Sequence, residues 1–206
     1  MFSVLHLVCI TKNKSISATT LHTLMNVHIG CMRRGIHIEV HFLSDKSSLP
    51  KIIRCGDRIF FMDYGTNLNL EMLDSIFEPM KGDMMVYPSV VEGISWDRFI
   101  KTTKEGTSES ASQRGLEFDT RVGAKISKGL YECESTSARV WLMDSSAVDQ
   151  KLEGVSLPTS DNAIMFARLK QVGIKIVVAS EALVICHFIH ECLGNILEAA
   201  GVQLRP

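Results

Sequence analysis

The sequence predicts an α/β sandwich, a central and mostly parallel sheet with helices on both faces. Three observations predict it. Short runs rich in β-branched, aromatic and other apolar residues recur along the chain, each bounded by turn residues. Between the first three runs lie segments whose apolar residues fall at helical spacing. Strands that alternate with helices are joined by crossovers, and crossovers join parallel neighbours.

In chain order, "SVLHLVCI" at 3–10 reads as the first strand. "SISATT" then introduces a helix on which Leu21, Leu24, Met25, His28 and Met32 recur at helical spacing, and Gly35 is its C-terminal stop. "HIEVHFL" at 37–43 is the second strand, a short helix follows over roughly 47–55, and "RIFFM" at 58–62 is the third strand. A helix over roughly 69–80 leads to "MMVYP" at 84–88. The polar, glycine-containing stretch "KTTKEGTSESASQRG" at 101–115 lacks periodicity, so 101–120 is expected to be a mobile loop of the kind that serves as a lid. "ARVWLM" at 138–143 resumes the sheet. In "SDNAIMFARLKQV" at 160–172, Met165, Leu169 and Val172 sit at i, i+4 and i+7 with Phe166 beside them, and Gly173 ends that helix. "KIVVAS" at 175–180, "ALVICHF" and a helix from about 188 to 200 complete the pattern.

A chain of 206 residues, 46% hydrophobic and 22% charged, suits one globular domain over 1–206 with a substantial core. The formal net charge of -1, with both signs interspersed, gives no electrostatic footprint of a nucleic-acid partner. Six cysteines are scattered without a CxxC pair, several inside apolar runs, which fits a reducing, cytoplasmic compartment. "CHFIHEC", with Cys186, His187, His190 and Cys192, crowds four ligand types together, but such neighbours rarely close a tetrahedron alone, so structural zinc is not expected there. The opening "MFSVLHLVCI" lacks a basic leader and a cleavage site and reads as a strand, and no apolar run is long enough to span a bilayer. The ending "GVQLRP" is compatible with one domain cut from a larger chain.

In parallel α/β sheets ligands gather outside the carboxyl ends of the strands. Those ends read "TKNK" after the first strand, "SDKS" after the second and "DYGTN" after the third. The third is the most telling, because "GDRIFFMDYGTNLN" runs from four apolar residues straight onto Asp63. A carboxylate at the end of a buried strand either opens a surface turn or is met by a cation.

Taken together, "VCITKNKS", "EVHFLSDKSS", "GDRIFFMDYGT" and "SDNAIMFARLKQVGIKIVVASEALVICH" resemble, in this order, the motifs of GT-A glycosyltransferases. The resemblance covers most of the chain: an opening strand and loop, a second strand ending in aspartate, a third strand with the DxD metal motif, then an acidic helix start, a glycine, a strand and a histidine. Within the family the pattern is most similar to domains of large chlorella viruses associated with capsid glycans, which implies action in the host cytoplasm.

The resemblance implies a GT-A-like three-layer sandwich, a UDP-sugar donor, a glycan or glycoprotein acceptor, and a manganese or magnesium ion bridging the diphosphate. A divalent cation stabilises the charge that grows on that leaving group, and carboxylate with imidazole suits manganese. The implied metal ligands are Asp63 and His187. Thr11, Asn13 and Asp45 take the nucleoside-binding parts; an aspartate can accept the imide proton of uracil. Arg54, Tyr64 and Gly65 complete the donor site, with Asp57 flanking the same strand. Asp161 stands where inverting members carry the base that takes a proton from the acceptor hydroxyl. It also reads as an ordinary helix N-cap. Glu92 and Trp96 follow the fourth strand and are candidates for sugar or acceptor contact. One departure is plain: Gly65 stands where the motif has its second aspartate. A non-catalytic module binding nucleotide-sugar or glycan on the same fold is therefore the competing reading. A phosphoreceiver domain is set aside because Thr11, Lys12 and Asn13 occupy the place of its acidic pair, and an NAD-type fold because no GxGxxG follows a strand.

Overall fold

Strands buried along nearly their whole length build the centre of the sheet. In the computed structural model, which describes residues 2–53, 57–93, 95–106, 114–153, 155–182 and 184–186, the first strand β1 spans Val4–Ile10 and α1 spans Ala18–Arg34. Gly35 closes α1 in the left-handed conformation at φ 65, its N–H turned back to the Cys31 and Met32 carbonyls. There follow β2 (His37–Leu43), α2 (Leu49–Ile53), β3 (Arg58–Met62) and a three-residue strand β4 (Thr66–Leu68). A 3-10 turn over Leu70–Ile76 replaces the longer helix expected at 69–80. Next come β5 (Met84–Tyr87), α3 (Trp96–Glu105), β6 (Thr120–Ser127), β7 (Leu130–Thr136), β8 (Val140–Asp144), α4 (Ser145–Asp149), α5 (Asn162–Gln171), β9 (Ile176–Ala179) and β10 (Val184–Cys186).

Eight strands form one sheet in the order β2, β1, β3, β8, β5, β9, β7, β6. Strands β1, β2, β3, β5 and β9 run in one direction, while β8 and β7 run against them. The small pair of β4 and β10 lies apart from it. Residues of alternate parity feed the two faces. Val8, Ile59, Phe61, Trp141 and Val178 pack with α2, α4 and α5, whereas Leu5, Leu7, Phe60, Leu142 and Val177 pack with α1 and the 3-10 turn. This is the expected three-layer α/β sandwich.

Three further local features differ from the sequence expectation or escape it. Trp96–Glu105 is helical, so 101–105 belongs to α3 rather than to a loop; Ser95 caps it by accepting from the Arg98 N–H, and 107–113 lie outside the described residues. The core face of α1 is carried by Thr20, Thr23, Leu24, Val27 and Cys31, while Met25 and Met32 are 58% and 70% exposed. Helical spacing alone finds a stripe without saying which of two apolar stripes meets the sheet. The β6 and β7 hairpin was invisible as strand because its charged and small residues lack apolar alternation. The helix expected at 188–200 lies outside the described residues.

Candidate functional site at the strand tips

The carboxyl ends of β1, β2 and β3 meet the start of β8 at one edge of the sheet. Antiparallel pairing sets Met62 opposite Val140, and the Asp63 N–H donates to the Arg139 carbonyl at 2.9 Å, which brings Arg139 beside the aspartate. The turn after β3 is held from below. Thr66 Oγ1 donates to the Asp63 carbonyl at 2.7 Å, and buried Thr20 Oγ1 on α1 donates to the Thr66 carbonyl at 2.8 Å. Gly65 is buried with φ 73, a left-handed position at which an aspartate would be strained.

A cation does meet Asp63. Lys46 Nζ lies 3.4 Å from Oδ2 and Arg139 Nε 3.8 Å from the same oxygen, while Oδ1 accepts from the Tyr64 N–H at 2.9 Å. Lys46 also donates to Asn162 Oδ1 at 2.8 Å, and Asn162 Nδ2 donates to the Ala138 carbonyl at 2.9 Å. Arg139 Nη2 donates to the Tyr64 carbonyl at 2.6 Å. The loop after β2, the tip of β3, the start of β8 and the start of α5 are thereby tied around one carboxylate. Two cationic heads lie against that one carboxylate, in side chains only about a fifth to a quarter exposed. The charge of Asp63 reaches Cys9 below it: burial, then Asp63, push that thiol up to about 12.

The other expected residues distribute as follows. Thr11 ends β1, its N–H and Oγ1 both donating to the Leu43 carbonyl at 2.8 and 3.1 Å, which clamps the tips of β1 and β2 together. Asn13 is exposed in the turn beyond it with φ 52. Asp45 is exposed, and its Oδ1 accepts from the Ser47 N–H at 2.7 Å; the Ser47 hydrogen bonds lower its pKa. Asp161 Oδ1 caps α5, accepting from the Ala163 and Ile164 N–H groups at 2.7 and 3.2 Å, one residue before Asn162. Asp57 is not at this edge: it accepts from Val4 N–H and Ser3 Oγ, at the start of β1, because the beginning of a strand parallel to β1 lies at the opposite end. A cavity of about 540 Å³ lined by Phe2, Asp57, Arg58, Phe77 and Asp144 opens at that far end. Glu92 is exposed, and Trp96 is 64% exposed on α3, edge-on to Phe99. Arg54 and His187 lie outside the described residues.

Among the described residues no other His, Cys, Asp or Glu joins Asp63 in a cluster of three ligating groups. Sequence reasoning missed Lys46, Arg139 and Asn162. Lys46 and Asn162 stood beside Asp45 and Asp161 in loops already singled out. Arg139 was hidden because β8 was not recognised as antiparallel, so its beginning was not placed with the ends of its neighbours.

No family model and no curated protein matches the chain. Among solved structures, one from Bacillus anthracis named for glucose-1-phosphate thymidylyltransferase and bound to sucrose aligns with 98% of this chain and 97% of its own, with a TM-score of 0.50 and 10% identity. The inositol-1-phosphate CTP transferase of T. maritima aligns with 100% of this chain and 98% of its own, with a TM-score of 0.47 and 8% identity. At 10% identity the first likeness establishes the fold: the chain is an α/β sandwich of the kind seen in that nucleotidyltransferase structure.

Proposed function

We propose that this protein is a glycosyltransferase that moves a sugar from a UDP-sugar to a hydroxyl of a glycan or glycoprotein acceptor. The observation that carries the reading is the convergence on Asp63 of Lys46, Arg139 and Asn162 from three other elements. A nucleoside diphosphate gains negative charge as the glycosidic bond breaks, and preorganised cations aimed at that charge lower the barrier. Lys46 and Arg139 are such cations, already held in place before substrate arrives. A manganese or magnesium ion held by Asp63 and His187 would supply further neutralisation of the same diphosphate. Thr11, Asn13 and Asp45, on the neighbouring strand tips, are assigned to the nucleoside, and Tyr64 and Gly65 to the approach of the diphosphate along the turn. Asp161, exposed next to Asn162, is assigned the acceptor proton.

The test is release of UDP from a panel of UDP-sugars with manganese present. Binding of UDP is expected to rise on adding manganese, and Asp63→Ala is expected to abolish the rise. Equal binding with and without the metal counts against the ion. Formation of pyrophosphate from UTP and a sugar phosphate, with no UDP released from UDP-sugars, would replace sugar transfer by nucleotidyl transfer on the same site. A second reading, a binding module without turnover, draws on Gly65: its left-handed backbone leaves no second carboxylate at the turn. UDP binding without turnover on any sugar would favour it.

A further inference from the structure

A second group of ligand types lies away from the strand tips, on β1 and β2. The register sets His6 opposite Glu39 and Val8 opposite His41, and the alternation of "HIEVH" puts Glu39 and His41 on the face to which His6 belongs. His6 Nδ1 lies 3.1 Å from His41 Nε2 and 3.4 Å from Glu39 Oε2, and the last two atoms are 3.8 Å apart. The nearest point equidistant from these three atoms lies in their plane, about 2.0 Å from each, the length of a zinc bond to nitrogen or oxygen.

We propose that His6, Glu39 and His41 form a zinc-class divalent-metal site, with three protein ligands and a fourth position open to solvent. Burial grades across it as such a site requires. The His6 side chain is 5% exposed, that of His41 27% and that of Glu39 49%, so the ion would sit against the sheet with one side facing water. Two imidazoles and a carboxylate suit zinc far better than magnesium or calcium, which prefer oxygen throughout. The buried thiols of Cys31 and Cys133, each pushed up to about 11, and Cys9, pushed up to about 12, stay protonated at neutral pH and do not compete as thiolates. A simple hydrogen bond between the two imidazoles explains the 3.1 Å contact but not the convergence of Glu39 on the same point.

The consequence is mechanical. Among the described residues β2 is an edge strand with β1 as its one sheet neighbour. An ion ligated from both strands would cross-link the edge that carries Asp45 and Lys46 at its tip.

The experiment uses the untagged full chain, stripped with a chelator and titrated with zinc and with cobalt at pH 7.5. One ion per chain is expected, with visible cobalt bands of a tetrahedral site and a rise in melting temperature on adding zinc, since an ion that binds only the folded state stabilises it. His41→Ala and Glu39→Gln lie on the exposed edge, and circular dichroism checks that each folds. Each is expected to weaken affinity by at least about tenfold, because even outer-shell partners of a metal are worth that much. Glu71→Gln, an exposed carboxylate of the 3-10 turn outside both sites, is expected to leave the affinity unchanged. Absence of zinc binding, or an affinity unaltered in both edge-strand variants, overturns the proposal. Loss in Asp63→Asn alone would move the ion to the strand tips and overturn it as well.

Discussion

Asp63 takes its character from the two cations that face it. Carboxylates at strand ends are common, but one held within 4 Å of both a lysine and an arginine, in side chains about a fifth exposed, is set in an environment that favours anions once a ligand competes for those cations. Charge-assisted hydrogen bonds from such cations to a diphosphate contribute about 1.5–3 kcal/mol each. Lys46→Ala and Arg139→Ala are therefore each expected to weaken UDP binding by about tenfold or more, with a steeper loss at low ionic strength, measured by calorimetry at two salt concentrations. Unchanged affinity in both variants would remove these residues from the diphosphate site. Asn162 matters through Lys46: it orients the ammonium, so Asn162→Ala is expected to reproduce a smaller part of the Lys46→Ala effect.

At the scale of elements, the turn that carries Asp63 is fixed by α1. Thr20 and Thr23 are fully buried on the helix face, and both spend their hydroxyls on the β4 segment: Thr20 on the Thr66 carbonyl, Thr23 with Asn67 Oδ1 and the Leu68 N–H. Thr20→Val keeps the shape and removes the donor, leaving a buried carbonyl short of a partner. A loss of about 1–3 kcal/mol in urea unfolding is expected, with weaker UDP binding because the Asp63 turn loosens. Met25→Gln on the exposed stripe of the same helix is expected to change stability by no more than about 0.5 kcal/mol. The contrast tests the face of α1 that meets the sheet, which spacing alone left ambiguous.

The whole molecule is held by the two clusters on either side of the sheet. Trp141 at the centre of β8 stacks on Phe61 at 4.7 Å and meets Phe166 of α5 edge-on at 6.4 Å, so one residue joins the β3 and β8 pair to the covering helix. Trp141→Ala is expected to cost about 3–5 kcal/mol in unfolding. The core also sets an alkaline limit. Burial raises the thiols of Cys9, Cys31 and Cys133 from 9.0 to about 12, 11 and 11, and the Tyr87 phenol from 10.0 to about 12. Because these folded-state values lie above the unfolded ones, their contribution to stability is fully present below pH 9 and is lost as pH rises from about 9 to 12. A melting temperature that falls across that window, together with resistance of Cys9, Cys31 and Cys133 to a disulfide reagent at pH 8, is the expected outcome.

Much of this was legible in the chain. "HIEVHFL" and "RIFFM" have the bounds of β2 and β3 because a central strand must be apolar along its length and an edge strand only on alternate residues. The glycine stop of α1, the core residues Met165, Phe166 and Leu169 of α5, and the placing of Thr11 and Asp63 at strand tips also follow from local chemistry. What tertiary structure alone decided is direction and company. Whether β8 runs with or against β3 is settled by pairing across the sheet, not by any residue within it, and that choice delivered Arg139 to Asp63. The registry of β1 on β2 likewise brought His6 to Glu39 and His41, more than thirty residues further along the chain. Sequence specifies which groups can do chemistry; the long-range hydrogen bonds of the sheet determine which of them meet.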